Sequence, residues 1–209
     1  MKVLELFSGT HSVGKEAKKR GWTITSLDLN NADINIDILE WNYKELDPNS
    51  FDLIWASPPC RTFSTLRSSH IGRIYKNGVI YTKESIQKDI ETIGLPILKK
   101  TEEIIDYFKP KYYFIENPYT GKMKSYIDRP MYKLDYCKYS NFGYRKRTAI
   151  WTNLTTWKPR PLCKNDCSNM IGNKHRLRIG MKADRTSLND RYRIPPILIN
   201  EILDSLVAD

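Results

Sequence analysis

The sequence predicts an α/β fold around a mostly parallel sheet with helices on both faces. Two observations carry this. Short apolar runs alternate with helix-period segments through the first half of the chain, and polar turns with glycine or proline follow the ends of those runs. Residues 2–7 read as a buried strand, and a helix follows over about 13–20. Residues 22–27 form a second strand ending in Asp28, 34–38 a third and 51–56 a fourth. The segment 85–108 is helical, with a break expected near Gly94 and Pro96. Residues 111–115 are strand-like again. Residues 133–139 and 148–152 look like neighbouring strands with one antiparallel member, and a helix over 197–207 follows Pro195-Pro196. Residues 61–82 and 155–190 lack such regularity.

At 209 residues the chain is long enough for one medium domain with a real core and hardly for two. Lys and Arg number 34 against 24 Asp and Glu, a formal charge of +10, which favours an anionic partner such as nucleic acid. Charge alone fits a merely soluble surface as well, so the motifs decide. No apolar stretch approaches a membrane span, and the first apolar run, interrupted by Glu5, does not resemble a signal peptide. Cys60, Cys137, Cys163 and Cys167 at irregular spacing suit reduced thiols in an intracellular, cytoplasmic protein.

Four motifs carry chemistry. Phe7-Ser8-Gly9-Thr10, between a strand and a helix, lets backbone approach a ligand, and Asp28 at the next strand's end can accept from ribose hydroxyls, which together suggest a nucleoside cofactor. An ordinary turn fits the loop alone equally well. Ser57-Pro58-Pro59-Cys60 ends the fourth strand, where open α/β sheets bind ligands. Most cysteines are small buried apolar residues, but this position favours a nucleophile. Glu116-Asn117-Pro118 ends another strand, where a carboxylate beside a cysteine on a parallel neighbour suits acid chemistry; an ordinary surface glutamate is the alternative. Arg145 and Arg147, at alternate positions before residues 148–152, are expected to point to one side, where they could hold a phosphate or a pyrimidine carbonyl; a solvated basic loop is the alternative.

These motifs in this order resemble the cytosine-C5 DNA methyltransferases, closest to short phage-like members. The resemblance also includes Phe63-Ser64, Trp151-Thr152-Asn153 and the closing Arg191-Tyr192-Arg193-Ile194-Pro195-Pro196, and it covers nearly the whole chain. It implies a Rossmann-like S-adenosylmethionine-dependent methyltransferase fold over 1–209, with the closing motif at 186–209 folding back near the cofactor. It places Phe7, Ser8, Gly9, Thr10 and Pro58 at the cofactor, Asp28 on its ribose, and Asp37-Ile38 beside its adenine. Cys60 would be the nucleophile, Glu116 the grip on the cytosine edge, and Arg145 and Arg147 the supporting arginines. The implied substrate is DNA and the expected state a monomer. RNA, which one branch of the family modifies, and a catalytically silent homologue are the alternatives. Thr10-His11-Ser12 replaces the family's second glycine pair, and Pro118 stands where valine is usual.

The segment between Trp151 and the closing motif is short for this family. Residues 155–185 are therefore expected to be a reduced recognition element, with Lys174, His175, Arg176, Arg178 and Lys182 on phosphates. Arg61, Ser64 and Arg67 are expected to meet nucleic acid from 61–82, a lid over the flipped base that also holds His70 and Arg73. Cys163, Cys167 and His175 are candidate zinc ligands with Cys-x3-Cys spacing. Cys137 is the one obvious fourth ligand, but it falls in a strand-like run. So incomplete a set is more often buried thiols, and no metal is expected.

Overall fold

A computed structural model describes residues 1–74, 78, 80–179 and 186–207. Its main sheet has seven strands: β1 (Lys2–Leu6), β2 (Thr23–Asp28), β3 (Ile34–Asn35), β4 (Leu53–Ala56), β5 (Tyr112–Pro118), β6 (Met131–Asp135) and β7 (Arg147–Thr152). Their spatial order is β3-β2-β1-β4-β5-β7-β6. The first five are parallel, and β7 runs antiparallel to both β5 and β6.

Side chains alternate across each strand. Leu4, Leu6, Ile54, Ala56, Tyr113 and Ile115 face one apolar cluster with Leu98, Ile104, Ile105 and Phe108 of α3 (Leu95–Phe108). Val3, Leu53, Trp55, Tyr112 and Phe114 face the other, under α1 (Ser12–Lys18) and α5 (Pro196–Val207). Helices thus cover both faces, which explains why the central strands read as continuous apolar runs.

Three elements differ from expectation. The third strand stops at Asn35, because Asp37 makes a turn in which its Oδ1 accepts from Leu39 N at 2.9 Å. The strand expected over 133–139 begins at Met131 and ends at Asp135, and residues Tyr136–Lys138 form one 3-10 turn. The break near Gly94 is a π-helical stretch, Ile90–Gly94, that joins α2 (Lys83–Asp89) to α3 without interruption. A Cβ on Gly94 would stand 2.5 Å from Thr62 Oγ1 and 2.9 Å from the Phe63 ring, so glycine is required there by close approach of the chain after Cys60.

The described residues also form a two-stranded hairpin of β8 (Met170–Ile171) and β9 (Lys174–His175), a short helix α4 (Leu188–Tyr192) and several 3-10 turns. No helix among the described residues is long and apolar enough to cross a membrane.

Candidate active site

Strand register sets the site. Leu6 pairs with Ala56, and Ala56 pairs with Ile115, so β1, β4 and β5 end their shared run at one level. The loop at 7–10, the turn at 57–60 and Glu116-Asn117 therefore open onto one cleft of about 400 Å³, a size suited to a small organic ligand.

The loop after β1 is tight. Phe7, Gly9 and His11 all have left-handed backbone, with φ of 58°, 44° and 53°. Two carboxylates fix it. Asp28 accepts from Gly9 N at 2.9 Å and Leu29 N at 2.7 Å. Glu5, buried beneath, accepts from Val13 N at 3.1 Å and Gly14 N at 3.0 Å, which caps α1 where the His11 side chain does not. Burial pushes the Glu5 carboxyl up to about 7, although those N–H groups oppose the rise. Gly14 allows this, since a Cβ there would lie 2.6 Å from Glu5 Oε2. All eight residues expected at the cofactor, Phe7, Ser8, Gly9, Thr10, Asp28, Asp37, Ile38 and Pro58, line the cleft. Ser8 Oγ is buried without a hydrogen-bond partner, and Leu29 lines the cleft 61% exposed. Both are features a bound ligand would cover.

Cys60 and Glu116 line the same cleft. Asn117 Nδ2 donates to Pro58 O at 2.8 Å, tying the Pro-Pro-Cys turn to β5. Glu116 Oε1 accepts from Tyr136 Oη at 2.9 Å and lies 3.4 Å from Lys146 Nζ. Lys146 also donates to Arg191 O at 3.3 Å. Burial raises the Cys60 thiol above its ordinary value, with Lys146 pulling it down and Glu116 adding to the rise. The closing segment completes the wall: Ile194 N donates to Ser12 Oγ at 3.1 Å, and Tyr192 and Ile194 line the cleft.

The arginines are placed differently from expectation. Arg147 forms a bidentate pair with Asp135, at 3.0 and 2.9 Å, and Arg145 is exposed on the side of His175; neither lines the cleft. Strand β7 begins only at Arg147, so strand alternation does not extend back to Arg145. Of residues 145–147, the one that lines the cleft is Lys146, the residue between them. Basic character within 145–147 was the available signal, but not which residue turns inward.

Arg61 lines the cleft and is exposed; Ser64 is half-buried and does not line it. Arg67 is committed to an ion pair with Asp89 and stacks over Tyr81, so it braces the turn Thr65–His70 against α2 rather than facing outward as a free cation. Lys174, Arg176 and Arg178 are exposed on or beside the β8–β9 hairpin. Lys182 lies outside the described residues. Cys163, Cys167 and His175 come together with Cys137, away from the cleft.

Sheet order and cleft together define a Rossmann-like methyltransferase fold. A solved structure, the Entamoeba histolytica methyltransferase EhMeth, shares this fold with a TM-score of 0.52 at 15% identity, over 78% of this chain; this chain spans 56% of that one. A mutant of Spodoptera frugiperda DNMT2 superposes with a TM-score of 0.43 at 18% identity, over 76% of this chain and 53% of its own. No family model matches the chain. A protein of frog virus 3 (isolate Goorha), named "Probable DNA (cytosine-5)-methyltransferase", is 48% identical over 217 residues, covering 98% of this chain and 99% of its own length. The chain belongs to the DNA (cytosine-5)-methyltransferase family, whose members use a methyl donor.

Proposed function

We propose that the protein transfers a methyl group from S-adenosylmethionine to carbon 5 of cytosine in DNA through a covalent adduct of Cys60. The observation that carries this is the opening of Cys60, Glu116 and the loop at 7–10 onto one cleft. The residues fit the donor. Phe7, Ser8, Gly9 and Thr10 would hold its methionine part, Asp28 its ribose, and Asp37, Ile38 and Leu29 its adenine, with Pro58 alongside. When bound, S-adenosylmethionine supplies the electrophilic methyl group that C5 takes up.

The chain's own groups make C5 able to react. Cytosine must leave the base stack to expose its face. The Cys60 thiolate adds at C6 and sends the electron pair toward C5. Glu116, protonated at this step, donates its carboxyl proton to N3 and stabilises the charge that develops there. Loss of the C5 proton and expulsion of Cys60 restore the ring. Lys146 replaces the expected arginines as the cation that supports Glu116 and favours the thiolate.

For DNA, Arg61 at the cleft mouth and Lys174, Arg176 and Arg178 on the far segment would contact phosphates, which position a protein without reading sequence. Ser64 and Arg67 would hold the turn after Cys60 beside the base. Residues 155–185 act as a reduced recognition element, so bisulfite sequencing of methylated random DNA should show little context preference. Strong preference for a site longer than a dinucleotide would contradict this.

DNA containing 5-fluorocytosine tests nucleophile and target atom together. The wild type should form a complex that survives denaturing electrophoresis, and Cys60→Ala should not. A complex retained in Cys60→Ala would overturn the assignment.

A further inference from the structure

Three thiols and one imidazole converge outside the catalytic cleft. Cys137 lies in the 3-10 turn after β6, Cys163 and Cys167 in the long connection after β7, and His175 on β9. Their ligand atoms all lie within 4.8 Å of one another. His175 Nε2 stands 3.6 Å from Cys163 Sγ and 3.3 Å from Cys167 Sγ. A tetrahedron with Zn–S of about 2.3 Å and Zn–N of about 2.0–2.1 Å has S···N edges of about 3.5 Å and S···S edges of about 3.8 Å. The two S···N separations of 3.6 and 3.3 Å match the S···N edge.

Plain burial does not explain the cluster. Cys137 and Cys163 are both buried, yet neither belongs to the two apolar clusters that flank the sheet. The surroundings hold the ligands from outside. Asp135 is fully buried, is gripped by Arg147, and accepts from Cys163 N at 3.0 Å. Asn169 donates to Cys137 O at 3.0 Å and to Ser140 O at 2.7 Å. Outer-shell bonds of this kind orient metal ligands. The hairpin they hold has strands of two residues each and leaves Ile171 66% exposed, and so small a hairpin is marginal without another source of stability.

We infer that Cys137, Cys163, Cys167 and His175 form a structural zinc site that fastens the β8–β9 segment to the edge of the catalytic sheet. Three thiolates and an imidazole suit zinc, and a closed set of four protein ligands leaves no position for catalysis. Binding releases the three thiol protons and leaves the cysteines reduced. The site is independent of the methyl-transfer reading, because its readout is metal content.

The test uses the untagged full-length chain, purified under reducing conditions and dialysed against metal-free buffer. Elemental analysis should find about one zinc per chain. Cys163→Ser with Cys167→Ser should lower this to below about a tenth, whereas Cys60→Ser should retain it. If the double variant does not fold, the wild type decides alone: cobalt substitution should give tetrahedral d–d bands and thiolate-to-cobalt charge transfer. Zinc below about a tenth of an equivalent in the wild type, an octahedral cobalt spectrum, a Cys163–Cys167 disulfide, or zinc lost equally in Cys60→Ser would each overturn the site.

Discussion

Lys146 Nζ lies 3.4 Å from Glu116 Oε1, with 11% and 7% of the two side chains exposed. A nearly buried ion pair is costly to break on one side, because the remaining charge is left unpaired. This pair also acts on Cys60, whose thiol Lys146 lowers and Glu116 raises. Lys146→Met should reduce methyl transfer by about 10²-fold or more. It should also move the pH of half-maximal Cys60 alkylation upward, and Glu116→Gln should move it downward. Peptide-resolved mass spectrometry of alkylation against pH reads both shifts. Identical profiles in all three proteins would mean that the pair does not tune the thiol.

Gly94 tests how the chain after Cys60 is held. Its missing Cβ leaves room for Thr62 and for Phe63, which is only 1% exposed. Phe63 O in turn accepts from Lys122 N at 2.8 Å. Gly94→Ala should cost about 1–3 kcal/mol through overpacking, seen as a lower midpoint in denaturant unfolding. Activity should fall further than stability alone accounts for, because Thr62 and Phe63 lie two and three residues from Cys60. Unchanged stability would show that the π-helical stretch moves aside freely.

Glu5 gives a pH signature. Its carboxyl rises from the ordinary 4.5 to about 7, chiefly through burial. The folded state therefore binds this proton more tightly than the unfolded state. The resulting contribution is full below about 4.5 and is lost as pH rises through about 7, a loss of up to about 3 kcal/mol. Glu5→Gln removes that titration. Urea unfolding of both proteins should show the stability of the wild type relative to the variant falling between pH 4.5 and 7. A difference that rises with pH would reverse the assignment.

The central fold was legible because buried parallel strands leave continuous apolar runs, and because Cys60 and Glu116 follow such runs directly. What escaped the sequence depends on contacts between distant segments. Neither apolar periodicity nor spacing shows that Asp135 captures Arg147, or that Lys146 turns inward to Glu116. Asp37 ended a strand through a side-chain turn that an apolar run conceals. Cys137 stands out as the obvious fourth ligand beside Cys163, Cys167 and His175, but a strand-like run argues against it; the edge strand stops at Asp135, so Cys137 lies in a turn and joins them.

Asp28 separates loop architecture from cofactor contact. Both its oxygens already serve the loop, one accepting from Gly9 N and the other from Leu29 N. A carboxylate oxygen has more than one lone pair, so ribose hydroxyls can be held in addition. Asp28→Ala removes both roles, and hydrogen bonds to a charged group contribute about 1.5–3 kcal/mol, or about 10- to 100-fold in affinity. Calorimetry with S-adenosylhomocysteine should show that loss. Asp28→Asn, which keeps an acceptor for Gly9, should fall between the two, and Cys60→Ala should bind as the wild type does. Undiminished binding in Asp28→Ala would remove Asp28 from the cofactor site and leave it a loop anchor only.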